Sequence, residues 1–413
     1  MFPKLSFFVI MILLCLAIAI LGGLVWANTS FVKTQPVEKD FLVPWLGART
    51  FIQYGDSPYS VPATQRAQVV YYGRLAGLEQ DPLQLWLPLP VELFYFPIAL
   101  IADYVLARAV WMTALEIALV GMVILSLQLT GWKPGRFIFP IILLFPLFWI
   151  YGVFSLVSAS AAGFIALSLA GFLLAVRGER DELAGGLLIL LVSAPRLAGI
   201  LAFFLFWWII NQRRWRILWG FLMGVAVLLA LSFLFLPGWF VPFLSGLVYH
   251  FVFNPGSSLV SIFASWSPVV GLRFGWVLAA VLFLILFFEW GKTLARDFRA
   301  FLWMVCLTVS VTPLLGIPMV PGDYVFLFIP LSLFLAILSE RRSQFRLWGI
   351  SEIALMVVLV GFWLVAFVFA RANAYEALNN TLILLLPVLL VVGLAWLRWW
   401  FIHSVPIGLG IPS

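Results

Sequence analysis

Apolar residues in this chain neither alternate with polar ones, as on a half-buried strand, nor form one stripe of a helix. They come in unbroken runs of about 15 to 23 residues, apolar on every face. Runs of that length cover most or all of a hydrocarbon layer about 30 Å thick. They predict membrane spans at 5–27, 137–151, 158–176, 183–195, 197–211, 217–236, 274–290, 301–315, 324–338, 347–369 and 381–402. The stretch 93–131 is long for one span and short for two, and it contains Asp103, Arg108 and Glu116. Thr113 to Leu129 is read as part of one span and 93–108 as a short or interfacial helix, which brings the total to about twelve. The expected fold class is an all-α polytopic membrane protein, one integral-membrane domain over residues 1–413. The absence of alternation excludes an outer-membrane barrel. Several expected spans are short, and helices of that length line a cavity more readily than they face lipid.

The polar residues between the runs set the topology. Lys4, Lys133 with Arg136, Arg177 with Arg180, the group Arg213, Arg214 and Arg216, Lys292 with Arg296 and Arg299, and Arg341, Arg342 with Arg346 all flank apolar runs. Basic residues concentrate on the cytoplasmic side, so both termini are expected inside. The first run is longer than the apolar core of a signal peptide and is read as an uncleaved helix. The long segment 28–92 then lies outside, as a first extracytoplasmic loop with short juxtamembrane helices. It holds Lys33, Lys39, Arg49, Arg66 and Arg74 against Glu38, Asp40, Asp56, Glu79, Asp81 and Glu92. A second outer region, 237–273, carries Trp239, Tyr249, His250, Asn254, Ser257, Ser258 and Trp266. That mixture suits sugar stacking and hydrogen bonding, and it equally suits an aromatic belt at the headgroups.

Composition sharpens this reading. Hydrophobic residues make up 64% and charged residues 10% of the 413, which rules out a soluble enzyme, a secreted disulfide scaffold and a disordered chain. The net charge of +7 resides at span ends, so membrane lipids and not nucleic acid are its expected partners. Cys15 and Cys306 both fall inside apolar runs and predict no disulfide. There is no phosphate-cradling glycine loop ending in Lys-Ser or Lys-Thr, and two histidines without metal-binding spacing, so neither cofactor nor metal is expected. What remains is carboxylate and arginine chemistry on the outer face.

Asp40 follows the first run and is succeeded by Phe41, Trp45, Ala48-Arg49, and Gly55, Pro58 and Tyr59. This order resembles the opening signature of the GT-C superfamily of membrane glycosyltransferases, and most closely glycosyltransferase family 87, the polyprenyl-phosphate-mannose-dependent mannosyltransferases. Phe94-Tyr95-Phe96-Pro97, Trp111, Gly185-Gly186-Leu187-Leu188, Pro195-Arg196, the loop Arg213-Arg214-Trp215-Arg216, and Asn254 to Phe263 are similar to later family motifs. The chain departs from the family where Pro195-Arg196 replaces Lys-Pro, where Gly152-Val153 replaces Gly-Gln, and where a histidine-bearing motif reads Pro321-Gly322-Asp323-Tyr324.

The resemblance implies a GT-C-type bundle of about twelve helices in a bacterial plasma membrane. It implies transfer of a hexose, mannose by analogy, from a polyprenyl-phosphate donor to a lipid or glycan acceptor. Such a transfer passes through an oxocarbenium-like state while the acceptor hydroxyl loses a proton and the phosphate gains charge. Asp40 would be the base, Arg196 and Arg49 would hold the phosphate, and Tyr59, His250, Asn254, Asp323 and Tyr324 are sugar or acceptor candidates. The residues alone also admit Asp40 as a surface carboxylate paired with Lys39 or Arg49, and Arg196 as a snorkelling interfacial cation. A transporter or lipid flippase, and a catalytically silent GT-C-like subunit, are the competing functions.

The orientation is directly testable. Cysteines introduced at Ser257 and Asn373 should react with an impermeant thiol reagent added to intact cells, and one at Gln344 should not. The reverse pattern would place Asp40 in the cytoplasm, where a nucleotide-sugar donor becomes the natural expectation.

Overall fold

The computed structural model describes residues 7–254, 256–294, 297–341 and 376–403. The expected span 347–369, with Glu352, and the basic residues Lys4, Arg296, Arg342 and Arg346 lie outside them. Every regular element described is helical, as the apolar runs require. In order they are α1 (Phe7–Val32), α2 (Lys39–Tyr54), α3 (Val61–Tyr72), α4 (Leu89–Glu92), α5 (Phe96–Ala99), α6 (Tyr104–Thr130), α7 (Ile138–Phe148), α8 (Ile150–Val157) and α9 (Ala162–Arg177). They continue as α10 (Asp181–Val192), α11 (Pro195–Asn211), α12 (Trp215–Phe235), α13 (Phe240–Phe253), α14 (Leu259–Trp266), α15 (Val270–Thr293), α16 (Phe298–Val311), α17 (Phe328–Arg341) and α18 (Glu376–His403). Short 3₁₀ turns occupy Leu93–Tyr95, Thr312–Leu314 and Pro321–Leu327.

Among the described residues five segments are long and apolar enough to cross a membrane: Met11–Val32, Tyr104–Thr130, Trp215–Phe235, Val270–Thr293 and Pro321–Ser339. A sixth is made by α7 and α8, a pair bent by 48°. The other apolar helices contribute 10 to 17 residues each, α18 through Leu384–Arg398, so several of the about twelve expected spans are matched by a described segment shorter than a straight span. The bend has a local cause. Trp149 is extended, and a Cβ on Gly152 would lie 1.6 Å from the Pro146 carbonyl oxygen, so the chain turns back on itself where only glycine fits.

Two boundaries differ from expectation. Helix α1 continues to Val32, past the expected end near residue 27, because its polar tail is satisfied within the helix and against α6. Thr29 and Ser30 hydroxyls donate to the carbonyls of Val25 and Trp26, and Asn28 Nδ2 donates to Thr113 Oγ1 at 2.9 Å and to Glu116 Oε1 at 3.1 Å. The 93–131 stretch resolves into α5 and a single long helix that begins at Tyr104.

The chain divides into two compact units. The first comprises 1–117, 156–159 and 232–253. In it the segment 28–92 folds into α2 and α3 and is pinned on α13, where a Cβ on Gly246 would come within 2.0 Å of the Leu85 carbonyl oxygen. The second comprises 118–155, 160–231 and 254–413, with α16 buried along its whole length from Arg299 to Val311. Trp290, Phe204, Phe301 and Trp208 stack in series beside α16, at centroid distances of 5.3, 6.1 and 4.0 Å, and Trp290 Nε1 donates to Thr308 Oγ1.

Small residues let helices approach closely where lipid offers no hydrophobic drive to associate. In the second unit a Cβ on Gly185 of α10 would lie 2.4 Å from the Ile217 carbonyl oxygen and 2.7 Å from the Phe221 amide nitrogen of α12. Gly185→Ala should therefore cost about 1–3 kcal/mol through overpacking. Thermal unfolding in detergent checks this, and an unchanged midpoint would refute the close contact.

Candidate functional site

Helix α2 carries the leading candidate. Asp40 lies half-buried in its first turn, where the helix dipole favours a negative charge. Pro44 stands four residues on and has no N–H for the Asp40 carbonyl, so the helix is irregular at this point. One face is sealed by aromatics: Phe41 contacts Trp45, Tyr104 and Trp111 at 5.9 to 6.5 Å, and Tyr95 stacks on Trp111 at 4.6 Å.

The cations that sequence reasoning offered as partners of Asp40 have other positions. Lys39 pairs with Asp81 at 3.0 Å. Arg49 donates to the Ala99 carbonyl at 3.1 Å and lies over the Trp45 ring. Nine residues separate Asp40 from Arg49 along α2, about 14 Å on a regular helix.

Other acids surround the start of α2. Burial pushes the Glu38 carboxyl above its ordinary value, Arg108 opposes that rise and Asp40 adds to it. The Glu38 amide donates to the Tyr104 hydroxyl. Arg108 itself is fully buried and donates to the carbonyls of Pro36 at 2.8 Å and Val157 at 2.6 Å, and Trp111, one turn on, donates to that of Ala159. The spacing of three puts both on one face of α6, and each ties α6 to the segment 156–159. Glu92 is buried as well, beside Gly47 and Ala48 of α2. Sequence reasoning counted Glu38 and Glu92 only as loop charges and left Arg108 unassigned, since nothing in one sequence marks which ionisable residues fold inward.

Tyr59 and His250 also belong to the first unit. Tyr59 is buried and its hydroxyl donates to the Leu87 carbonyl at 2.6 Å, so it braces the chain leading to α4. Burial and then the neighbouring Glu92 push its phenol up. His250 stacks on Trp86 at 4.2 Å with the rings 13° from parallel, and joins α13 to that same chain.

The remaining candidates lie in the second unit. Arg196, in the first turn of α11, donates through Nε to the Pro318 carbonyl at 3.1 Å and through Nη2 to that of Asn254 at 2.7 Å. It thereby joins two loops that a short antiparallel bridge, Ser257 to Met319, also holds together. Asp323 is turned onto its own loop, its Oδ2 accepting from the Val320 amide at 3.0 Å. Tyr324 is buried against Tyr151, with no hydrogen-bond partner for its hydroxyl among the described residues. Gly322 sits beside the backbone of Ser155, and a Cβ there would come within 3.0 Å of it.

The structure thus groups Asp40, Arg49, Tyr59 and His250 within one unit. It groups Arg196, Asn254, Asp323 and Tyr324 within the other. No protein-family model matches this chain, and comparison with curated proteins and with solved structures returns no match.

Arg196 offers a direct test. Hydrogen bonds from a charged donor contribute about 1.5–3 kcal/mol each. Arg196→Ala should lower the unfolding midpoint of the second unit, and Arg196→Lys, a single point donor, should recover only part of the loss. Full stability in the alanine variant would show that the two carbonyl contacts carry no weight.

Proposed function

We propose that this chain is an integral-membrane glycosyltransferase that moves a hexose, mannose by the resemblance, from a polyprenyl-phosphate donor to a lipid or glycan acceptor on the extracytoplasmic face. The observation that carries the reading is the placement of Asp40. It stands in the first turn of a helix that begins soon after a candidate span, next to Phe41 of an aromatic cluster, and Glu38 and Tyr95 both feel its charge. A carboxylate so placed can accept the proton of an attacking hydroxyl, and no bound nucleotide is required when the donor is a lipid phosphate. Arg196 and Arg49 are the donor-side cations of this reading. Because both already donate to backbone carbonyls, replacing either is expected to loosen the fold as well as weaken donor binding.

A transporter or flippase is the second reading, and two observations favour it. The α7–α8 pair is a broken helix, and Glu116 lies near the middle of the Tyr104–Thr130 segment, hydrogen-bonded to Asn28. Broken helices and ionisable groups at membrane depth are what transport pathways use.

Asp40→Asn separates the readings. It keeps the size of the side chain and removes the proton acceptor, so transfer from radiolabelled polyprenyl-phosphate mannose to membrane glycolipids should fall by roughly 10²- to 10⁴-fold while donor binding holds. Wild-type turnover in the variant would remove the base. No transfer by the wild-type protein, together with uptake or lipid translocation lost in Glu116→Gln, would favour the transporter.

A further inference from the structure

Glu92 ends α4, between the candidate spans Met11–Val32 and Tyr104–Thr130. Its exposure is 0%. Neither carboxyl oxygen makes a well-formed hydrogen bond, and only the Ala48 amide of α2 is in weak contact. The carboxyl is pressed onto the α2 backbone: a Cβ on Gly47 would lie 3.2 Å from Oε1, with Pro58 at 3.3 Å and Leu85 at 3.5 Å closing the same space. The acid therefore has no exposure and lies against Gly47 and Ala48 of α2.

Among the described residues no cation acts on it. On α2, Lys39 is paired with Asp81 and Arg49 is turned to Ala99. The ionisable groups that feel Glu92 are the buried phenols of Tyr59 and Tyr95, both pushed up by burial first and by Glu92 second. Tyr95 is affected by Asp40 as well, which makes it the group common to both carboxyls. An ion here would be desolvated without compensation, so the folded protein holds the side chain with its proton on.

We propose that Glu92 is a positioning acid for the Asp40 helix: a neutral carboxyl sealed between α2 and α4 whose ionisation, with the proton passing to bulk water, opens that contact and ends activity at high pH. This rests on the reading of Asp40 as the catalytic base. While neutral, Glu92 adds no negative charge around Tyr95 and Asp40, and it lets α4 lie against Gly47. Once ionised, it places an unpaired charge in that contact and a second negative charge near the base.

The sign of the effect on stability follows. Burial raises this carboxyl well above its ordinary 4.5, so its contribution is fully present below about pH 4.5 and is lost as pH rises through the folded-state value. Glu92→Gln keeps the shape and cannot ionise. It should unfold at a higher temperature than wild type at pH 8, with the difference vanishing near pH 4.5.

The test uses the full-length protein in detergent or nanodiscs. Infrared spectra at pH 7.5 should contain a protonated-carboxyl band that Glu92→Gln lacks. In the transfer assay the ratio of Glu92→Gln to wild-type activity should rise by about tenfold as the pH is raised, because only the wild-type side chain can lose a proton. Each rate is divided by the folded fraction measured at the same pH, and a merely structural role would leave that corrected ratio flat. Absence of the band difference, or a variant less stable than wild type at every pH, would mean that Glu92 is ionised and paired, and would overturn the proposal. A band difference with a flat activity ratio would overturn the link to Asp40. If the wild-type protein transfers no sugar, the glycosyltransferase reading fails alone, because the infrared and unfolding measurements still judge the state of Glu92.

Discussion

Backbone carbonyls at broken helix ends are the constraint on which this structure depends. A chain that is 64% hydrophobic has little water near its interior, and the last carbonyls of every helix lack intrahelical donors. Arginine supplies them repeatedly. Arg49 donates to Ala99, the last residue of α5, and Arg108 donates to Val157, the last of α8. Arg177 donates to Gln128 and Leu129 in the final turn of α6, and Arg214 to Val176 in the final turn of α9. Arg196 serves two loop carbonyls together. The guanidinium fork suits this task because one side chain can satisfy several acceptors while its charge opposes the negative end of the helix dipole.

That constraint explains why many short helices coexist here. A helix of 12 to 17 residues, such as α9, α10 or α11, ends before it has crossed the hydrocarbon, and its terminal carbonyls must be met by protein. The basic residues that mark topology in the sequence are therefore also structural in the fold. Arg214 illustrates both: it lies in a short basic loop, pairs with Asp181 and reaches Val176. The acids follow the same economy, Asp81 with Lys39, and Glu289 with Lys292 and Arg398.

The helical class and the apolar runs were legible in the sequence, because a run apolar on all faces has few alternatives. Helix boundaries were less so. Asn28 reads as the end of a span, yet α1 continues past it because Thr113 and Glu116, 85 and 88 residues away, accept its amide. Hydropathy measures how apolar a run is and not whether a helix crosses: among the described residues five or six helices are long and apolar enough to do so, against about twelve expected over the whole chain. Among the site residues, Asp40 was found by its place after the first run. The inward turn of Glu92 and Arg108, and the use of Tyr59 and Arg196 on backbone carbonyls, depend on tertiary contacts that no local pattern encodes.

The two acids facing Tyr95 show how far burial alone can separate like side chains. Asp40 is half-buried at a helix start, where the dipole and nearby water both favour a charge. Glu92 is fully buried against Gly47 and Ala48, where a charge has neither. Packing does not demand an acid at that position, since a glutamine would fill the same volume and make the same contact with Ala48. The one property that glutamate adds is a proton that can leave. On the proposed reading the sealed acid lies against the helix that bears the candidate base, and environments that push two carboxyls apart in protonation are what proton-transfer chemistry at neutral pH requires.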